Sequence, residues 1–425
     1  MGLMDKALVE SANAAAKRFC GWLDQYGETS YDHQSFFASP LGRSAKALYY
    51  RRPLLGTLAV SPMIFCEAFF PSARQLFWKR QRFPIADAHY AMGFAFLARI
   101  DDGDRYYRRA VHFLKVLEAT RCRGYADYCW GYPFDWQTRT GVMTEGTPLI
   151  TTIPYAYEAF SQVYGIDQDP NWLRVMKSIA NHAFINYRDI ETGLDSASCG
   201  YTPAPDDPAG VVNASAYRAF LLTKAGLELA VPKYLETARR NTKFVIESQN
   251  PDGSWLYSMD GQRDFVDHFH TCFVMKALAK IEQLTGSPEC HAAIERGMEY
   301  YIRNLVDTDG LPVPFSKRPR MTVYCRELYD YAECINLGLL LEGRFPEMDR
   351  VVGNVVAEVL AKWQKRDGSF RARRLLLGWD NVPMHRWAES QMFRSLSFLV
   401  SRNLSDDRSE ICARLREADG RGVKS

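Results

Sequence analysis

Four titratable side chains crowd into seven residues near the middle of the chain: Asp264, Asp267, His268 and His270, in DFVDHFH. A helix-forming run, TCFVMKALAKIEQLTG, follows, and Lys276, Lys280 and Glu282 are its only charges. Polar groups at the start and apolar groups along the length describe a buried helix whose N-terminal end opens into a cavity. An exposed amphipathic helix would carry a charged stripe instead. Histidine titrates near neutrality, so proton transfer to or from it is never far uphill. His270 is therefore a candidate acid–base group; the other reading is a core histidine donating to a helix carbonyl. Asp267 is a candidate catalytic carboxylate, or simply the helix cap. His268 and His270 stand two apart with no cysteine beside them, and HExxH is absent. We expect no metal and no other cofactor.

Three further stretches carry the same kind of side chain. CWGYPFDWQTR supplies Trp130, Tyr132, Asp135, Trp136 and Arg139. A second supplies Arg320, Tyr324, Arg326, Glu327, Tyr329, Asp330 and Tyr331, and a third Trp379, Asp380, His385, Arg386 and Trp387. Aromatic faces, carboxylates and arginines converging in one cleft suit a charged sugar. Arginine pairs bidentately with a uronate, and Trp or Tyr stacks on the ring. We assign acid–base roles to His270, His385, Asp267, Tyr331 and Asp135. Substrate contacts fall to Trp130, Tyr132, Trp136, Arg139, Asp264, His268, Tyr324, Arg326, Tyr329, Asp330, Trp379, Arg386 and Trp387. Structural readings stand beside these: Asp135 and Trp136 as loop shapers, Trp387 as core, and Arg320, Arg371, Arg373 and Arg374 as solvated surface charge.

The elements that must hold these clusters are helices. Long apolar runs begin near Ala86, Pro148, Val211, Val266, Leu328 and Pro383, alternating with more charged helical runs. The apolar series recurs roughly every 60 residues, an internal repeat of helix pairs. Six apolar helices alternating with charged ones predict an inner and an outer ring, an all-α (α/α)6 toroid, with N-terminal helices completing the outer ring and capping it. Links from an apolar run to the next charged one are short (DDGD from Asp101, GIDQDP, AVP, GSPE, GRFP). Links the other way are long and rich in Gly, Pro, Tyr and Trp. Long loops gather where function lives. That rim also holds the N-terminal ends of the inner helices, whose dipoles favour an anionic ligand.

We divide the chain into residues 1–84, N-terminal helices; 85–405, the toroid; and 406–425, a polar tail. Within the first part, PLLGTLAVSPMIFCEAFFP (53–71) is the most apolar stretch. Pro62, Glu67 and Pro71 argue against a membrane span. Arg51, Arg52, Arg74, Lys79, Arg80 and Arg82 flank it, with Phe77, Trp78 and Phe83 between them. Residues 53–83 read either as a peripheral membrane-docking element or as a buried hairpin with a basic loop. The 425 residues are 47% hydrophobic and 24% charged, an ordinary globular balance, and the net charge of +3 gives no support to a nucleic-acid partner. Ten cysteines without a CxxC pair, and no secretory h-region, predict a cytoplasmic location, possibly at the inner membrane face.

The combination WGYPFDWQ, GTPLITTIPYAYEA, DFVDHFHTCFVMKAL and PMHRWAESQM resembles bacterial six-hairpin proteins encoded with exopolysaccharide and capsule genes. More distantly, the chain is similar to the C-terminal domain of heparan glucuronyl C5-epimerases and to the N-acylglucosamine 2-epimerase superfamily. The latter resemblance implies two opposed histidine bases, His270 heading the fourth inner helix and His385 the sixth. The former implies tyrosine and carboxylate groups, for which Tyr324, Tyr329 and Tyr331 are candidates. QNPDGSW (249–255) resembles the QxxDGSW signature of terpene cyclases and prenyltransferase β-subunits. Their DxDD and zinc-ligand sets are absent, which argues against isoprenoid chemistry. Three functions are carried forward: an epimerase of sugars or uronic acids in polysaccharide assembly; a six-hairpin glycoside hydrolase or lyase using Asp135 with Asp267, Asp330 or Asp380; and a non-catalytic binder of glycans or lipid-linked sugars.

Overall fold

Apolar spacing and proline placement set the helices. The computed structural model describes residues 4–100, 104–139, 141–319 and 322–419, with side chains to 404. Asp101, Asp102, Gly103, Arg320 and the last residues of the tail, 420–425, lie outside the described residues. In chain order the helices are α1 (Lys6–Tyr26), α2 (Ser35–Ala38), α3 (Pro40–Arg51), α4 (Pro53–Phe69), α5 (Arg74–Phe77), α6 (Pro84–Ala98), α7 (Asp104–Ala119) and α8 (Ile153–Asp167). Then come α9 (Pro170–Ile185), α10 (Val212–Glu228), α11 (Pro232–Glu247), α12 (His268–Thr285), α13 (Pro288–Asn304), α14 (Leu328–Leu340), α15 (Pro346–Glu358) and α16 (Ser390–Asp419). Pro170, Pro232, Pro288 and Pro346 each open a helix, where the missing N–H costs nothing.

Helices α6, α8, α10, α12, α14 and α16 form a closed inner ring, each packed on the next, with α16 returning to α6. Behind them stand α7, α9, α11, α13 and α15, and α1 takes the sixth outer place against α16. This is the (α/α)6 toroid. The two rings differ in pattern because they differ in burial. Every residue of α14 from Leu328 to Leu339 is buried. In α11 only Tyr234, Ala238, Asn241, Phe244 and Val245 are, at helical spacing.

The DG turns seal neighbouring pairs. Gly253 adopts φ +91° and Gly368 φ +97°. A Cβ at the first would run into the backbone of α13 at Arg296, and at the second into that of α1 at Arg18, so both turns need glycine. Trp255, buried in the same turn, donates from Nε1 to the Val245 carbonyl at 2.9 Å. The motif therefore marks helix-pair packing, as its physical content suggests.

The long links carry short antiparallel strands. β1 (Trp136–Gln137) pairs with β2 (Val142–Met143), and β3 (Asp189–Gly193) with β4 (Ser196–Cys199). β5 (Val266–Asp267) pairs with β6 (Phe315–Lys317), tying the third link to the fourth. β7 (Tyr324–Glu327), β8 (Arg373–Leu375) and β9 (Trp379–Asp380) tie the fourth to the fifth.

Across this rim lies the segment from Gly27 to Phe83, held by polar anchors. Asp32 takes a two-point ion pair from Arg386 (2.9 and 2.6 Å). Arg43 meets Asp135 at 2.9 Å, Glu67 meets Arg373 at 2.7 Å and the fully buried Arg74 meets Asp380 at 2.7 Å. Of the six flanking basic residues, Arg74, Arg80 and Arg82 turn inward, Arg80 onto the Tyr26 ring and Arg82 onto Asp87. Arg51, Arg52 and Lys79 stay exposed.

Candidate functional site on the long-loop rim

Each inner helix contributes one side chain to a layer that closes the axis of the wheel. His89 on α6 packs on Tyr155 of α8 (4.4 Å between ring centres), and Tyr155 shares a hydrogen bond with Tyr217 of α10 (2.7 Å). Tyr217 meets Phe273 of α12 at 5.3 Å, and Phe273 meets Tyr329 of α14 at 5.8 Å. Gln391 of α16 completes the circuit, reaching the Tyr329 hydroxyl at 3.5 Å and His89 Nε2 at 2.7 Å. This layer is the floor of the rim.

His270 stands just above it. Asp267 caps α12 through the His270 N–H (2.9 Å), and its second oxygen holds His270 Nδ1 at 2.6 Å. Asp267 is thus the helix cap and also the partner of the imidazole. Among the described residues, Nε2 of His270 has no hydrogen-bond partner. His270 lines a cavity of about 10 Å³ with Asn213, Tyr257 and Thr271, and the Asn213 Oδ1 atom is buried without a partner among the described residues. The rings of Tyr257 (4.6 Å) and Phe269 (4.3 Å) flank the imidazole.

From there aromatic contacts run along the rim. Phe269 touches Trp387 (5.6 Å), which packs on Tyr329 (4.8 Å) and on His33 of the N-terminal segment (4.5 Å). Arg386 lies over Tyr132 at 4.8 Å, Tyr132 stacks on Phe134, and Trp136 follows with Lys46 over its face at 3.2 Å. Beside Asp267 sits a buried acidic pair. Asp330 is pushed well above the usual carboxylate range by burial, reinforced by Glu327 and Asp267, and its Oδ1 has no partner among the described residues. Glu327 is ion-paired with Arg373.

The structure thus gathers His270, Asp267, Asp330, Tyr329, Trp387, Arg386, Tyr132 and Trp136 on one side of the wheel. It does not bring His270 and His385 face to face. His385 lies in the π-helical turn His385–Glu389, against α1. Its Nδ1 meets the Tyr90 hydroxyl at 2.6 Å and its Nε2 donates to the Gly27 carbonyl at 2.9 Å. Both of its nitrogens are used, so among the described residues His385 has no free nitrogen to set opposite His270. Tyr331 points outward onto Trp363 (4.8 Å), and His268 onto Tyr301 of α13 (3.0 Å). Trp130 is core, its Nε1 donating to the Leu117 carbonyl. Successive residues of a helix point 100° apart, and His268 and Tyr331 look toward the outer ring. Asp135 is spent on Arg43 and on the Glu145 N–H, away from His270. Arg139, Asp264 and Arg326 brace links, to Gln262, Lys317 and Asp307. Trp379 lies between Trp363 and the cations of Arg371 and Arg374, and Tyr324 lies over Arg373. Arg373 is buried rather than solvated.

Sequence reasoning missed Asn213, Tyr257, Phe269, Asp32 and His33. Phe269 sits between His268 and His270, whereas Asn213 comes from α10 and Tyr257 from the third link, and nothing in the types of the three announces chemistry. The last two come from a segment more than 200 residues away from His270 in the chain, and only folding joins them.

Burial drives the imidazoles of His268 and His385 down to about 3. An unfolded chain protonates histidine near 6.5. The folded values lie below the unfolded one, so this stability is fully present above pH 6.5 and is lost as pH falls through about 3. The urea midpoint should therefore be level between pH 7 and 8 and drop steadily below 6.5. A midpoint unchanged down to pH 4 would contradict two neutral buried imidazoles.

No protein-family model matches this chain, and no curated protein matches it. Solved structures do. The chain is similar to a cellobiose 2-epimerase from Bacillus thermoamylovorans, with a TM-score of 0.59 and 10% identity, over 76% of this chain and 88% of that one. A D-mannose isomerase matches with a TM-score of 0.54 and 13% identity, over 76% and 88%. The GH76 α-mannanase of Bacteroides thetaiotaomicron gives 0.55 and 9%, over 77% and 87%. The fold is that of the six-hairpin enzymes. At such identities the likeness carries the fold and no residue's role.

Proposed function

We propose that the protein is a carbohydrate-active enzyme working at the long-loop rim, a sugar epimerase or isomerase with His270 as its proton-transfer base. One observation carries the reading: His270 is oriented by Asp267 through Nδ1 while Nε2 is left without a partner among the described residues, between the rings of Tyr257 and Phe269. Removing a proton next to a carbonyl needs such a base. The similarity to a cellobiose 2-epimerase and a mannose isomerase supports it. The substrate class is a neutral or uronic-acid-containing saccharide.

The buried Asp330 favours a second reading. A carboxyl held protonated near the carboxylate of Asp267 is the pairing a glycosidase uses. Incubation with neutral and uronic-acid oligosaccharides in deuterated water separates the two. Epimerisation incorporates deuterium without new reducing ends. New reducing ends or an unsaturated sugar would transfer the assignment to cleavage, and neither would leave a binding protein.

The same reading sets the enzyme against a membrane, in polysaccharide assembly. Helix α4 is apolar on two faces. Gly56, Val60 and Met63 are buried, whereas Leu54 (87%), Leu58 (72%), Phe65 (55%) and Phe69 (40%) line the opposite face and are exposed, near Arg51 and Arg52. No helix among the described residues is long and apolar enough to cross a membrane, so this face would lie on the surface. Full-length protein should float with vesicles containing anionic lipid, and a Leu54→Ser, Leu58→Ser, Phe65→Ser variant should not. Wild-type protein that stays at the bottom of the gradient would remove this contact from the proposal.

A further inference from the structure

The opposite rim holds a second chamber. Below the axial layer of His89, Tyr155, Tyr217, Phe273 and Tyr329, side chains of the inner helices line a cavity of about 240 Å³. Its wall carries four cations, Lys224, Lys276, Lys280 and Arg394, and one carboxylate, Glu158. Three of the cations come from different helices. Lys276 and Arg394 are buried, each about 5% exposed. Both pair with the fully buried Glu333, Arg394 at 3.2 Å. Lys280 pairs with Glu158, and Lys224, near the mouth, with Glu228.

Four cations thus share three carboxylates, and the partners leave donors over. Arg394 lines the chamber, and its Nε–H is buried with no partner among the described residues. Burying charge is expensive unless the charge is matched. Nor do these cations serve the helix ends, because the macrodipole acts within the last turn, and Lys276 and Arg394 stand well inside α12 and α16. An excess of convergent ammonium and guanidinium donors in a small closed-ended chamber is a site for a compact polyanion.

We propose that this axial chamber binds a small phosphate-bearing anion, in the size range from inorganic phosphate to a sugar phosphate. The site is separate from His270, since the aromatic layer lies between them, and it stands whether or not the rim is catalytic. Burial lowers the Lys276 ammonium to about 8. It faces Glu333 on α14, Arg394 on α16, Tyr155 on α8, His89 on α6 and Lys280 on its own helix. Below that value Lys276 is charged and the excess is complete; as pH rises through it the chamber loses one positive charge, and affinity for a polyanion falls.

Calorimetric titration of the full-length protein with inorganic phosphate, pyrophosphate and glucose 6-phosphate tests the site. Saturable binding of at least one is expected, weaker at pH 9 than at pH 7. Lys280→Gln should weaken it about tenfold or more, the effect of losing one charge-assisted hydrogen bond. Because that change leaves the half-buried Glu158 without its partner, Lys224→Gln is the second variant; it should weaken binding with thermal unfolding unchanged. Lys317→Gln on the other rim should leave binding as it is. No saturable binding up to millimolar concentrations, or equal binding by wild type and both chamber variants, would overturn the proposal.

Discussion

Replacing His270 by glutamine is expected to lower turnover on the saccharide substrate by roughly 10²- to 10⁴-fold, the usual contribution of a positioned acid–base group. The protein should still fold. The side chain is 21% exposed, and a glutamine amide can still donate to Asp267. Asp267→Asn is the companion variant. Asparagine caps a helix as well as aspartate does, so α12 keeps its N-terminus. It loses the carboxylate that fixes the imidazole with Nδ1 protonated and Nε2 open, so turnover should fall while far-ultraviolet circular dichroism stays unchanged. Steady-state rates for both variants, with deuterium uptake as the second readout, check this. Wild-type turnover in His270→Gln would show that proton transfer is done elsewhere.

The second large effect concerns stability and access together. Arg386→Met should cost about 3–5 kcal/mol, the range for breaking a buried ion pair by removing one member. Asp32 is 1% exposed and would be left charged in the interior. At present burial works to raise its pKa, yet Arg386 and His33 hold the carboxyl below the usual carboxylate range. Replacing both members, Arg386→Met with Asp32→Leu, should recover much of the loss, since no orphan charge remains. The single variant should also free the segment from Gly27 to Phe83, which Asp32 anchors to the rim, and make it sensitive to limited proteolysis. Denaturant titration and a protease time course read the two effects separately. Equal stability in Arg386→Met and wild type would mean the pair is no anchor.

Much of the architecture was legible because repetition is a property of sequence. Runs such as LYDYAECINLGLLLEG carry apolar residues on every face, and only an inner helix tolerates that. Runs such as KYLETARRNTKFVIESQ have one apolar stripe and belong outside. Link lengths sorted the two rims. The residues of the site were read less well, for a geometric reason. DFVDHFH places two histidines two apart, and on a helix these point about 200° apart, so one turns to the cavity and the other to the outer ring. Pattern could not say which. VPMHR is close in sequence to a helix start, but a π-helical turn there rotates His385 toward α1. The charges inside inner helices, Glu158, Lys276, Glu333 and Arg394, were a signal available from the start. A lone charge in a buried run needs partners, and six such runs converge on one axis.

Local chemistry, then, determined the helices, their pairing and the rim that carries the long links, because helix propensity, burial pattern and turn glycines act over neighbouring residues. Tertiary structure alone decided which side chains share a space: that His270 meets Asp267 and Tyr257 rather than His385, that Asp32 crosses from the N-terminus to hold Arg386, and that four cations meet at the far end of the axis. Such meetings depend on the rotation of each helix about its own axis and on the closure of the ring, which are properties of the packed whole.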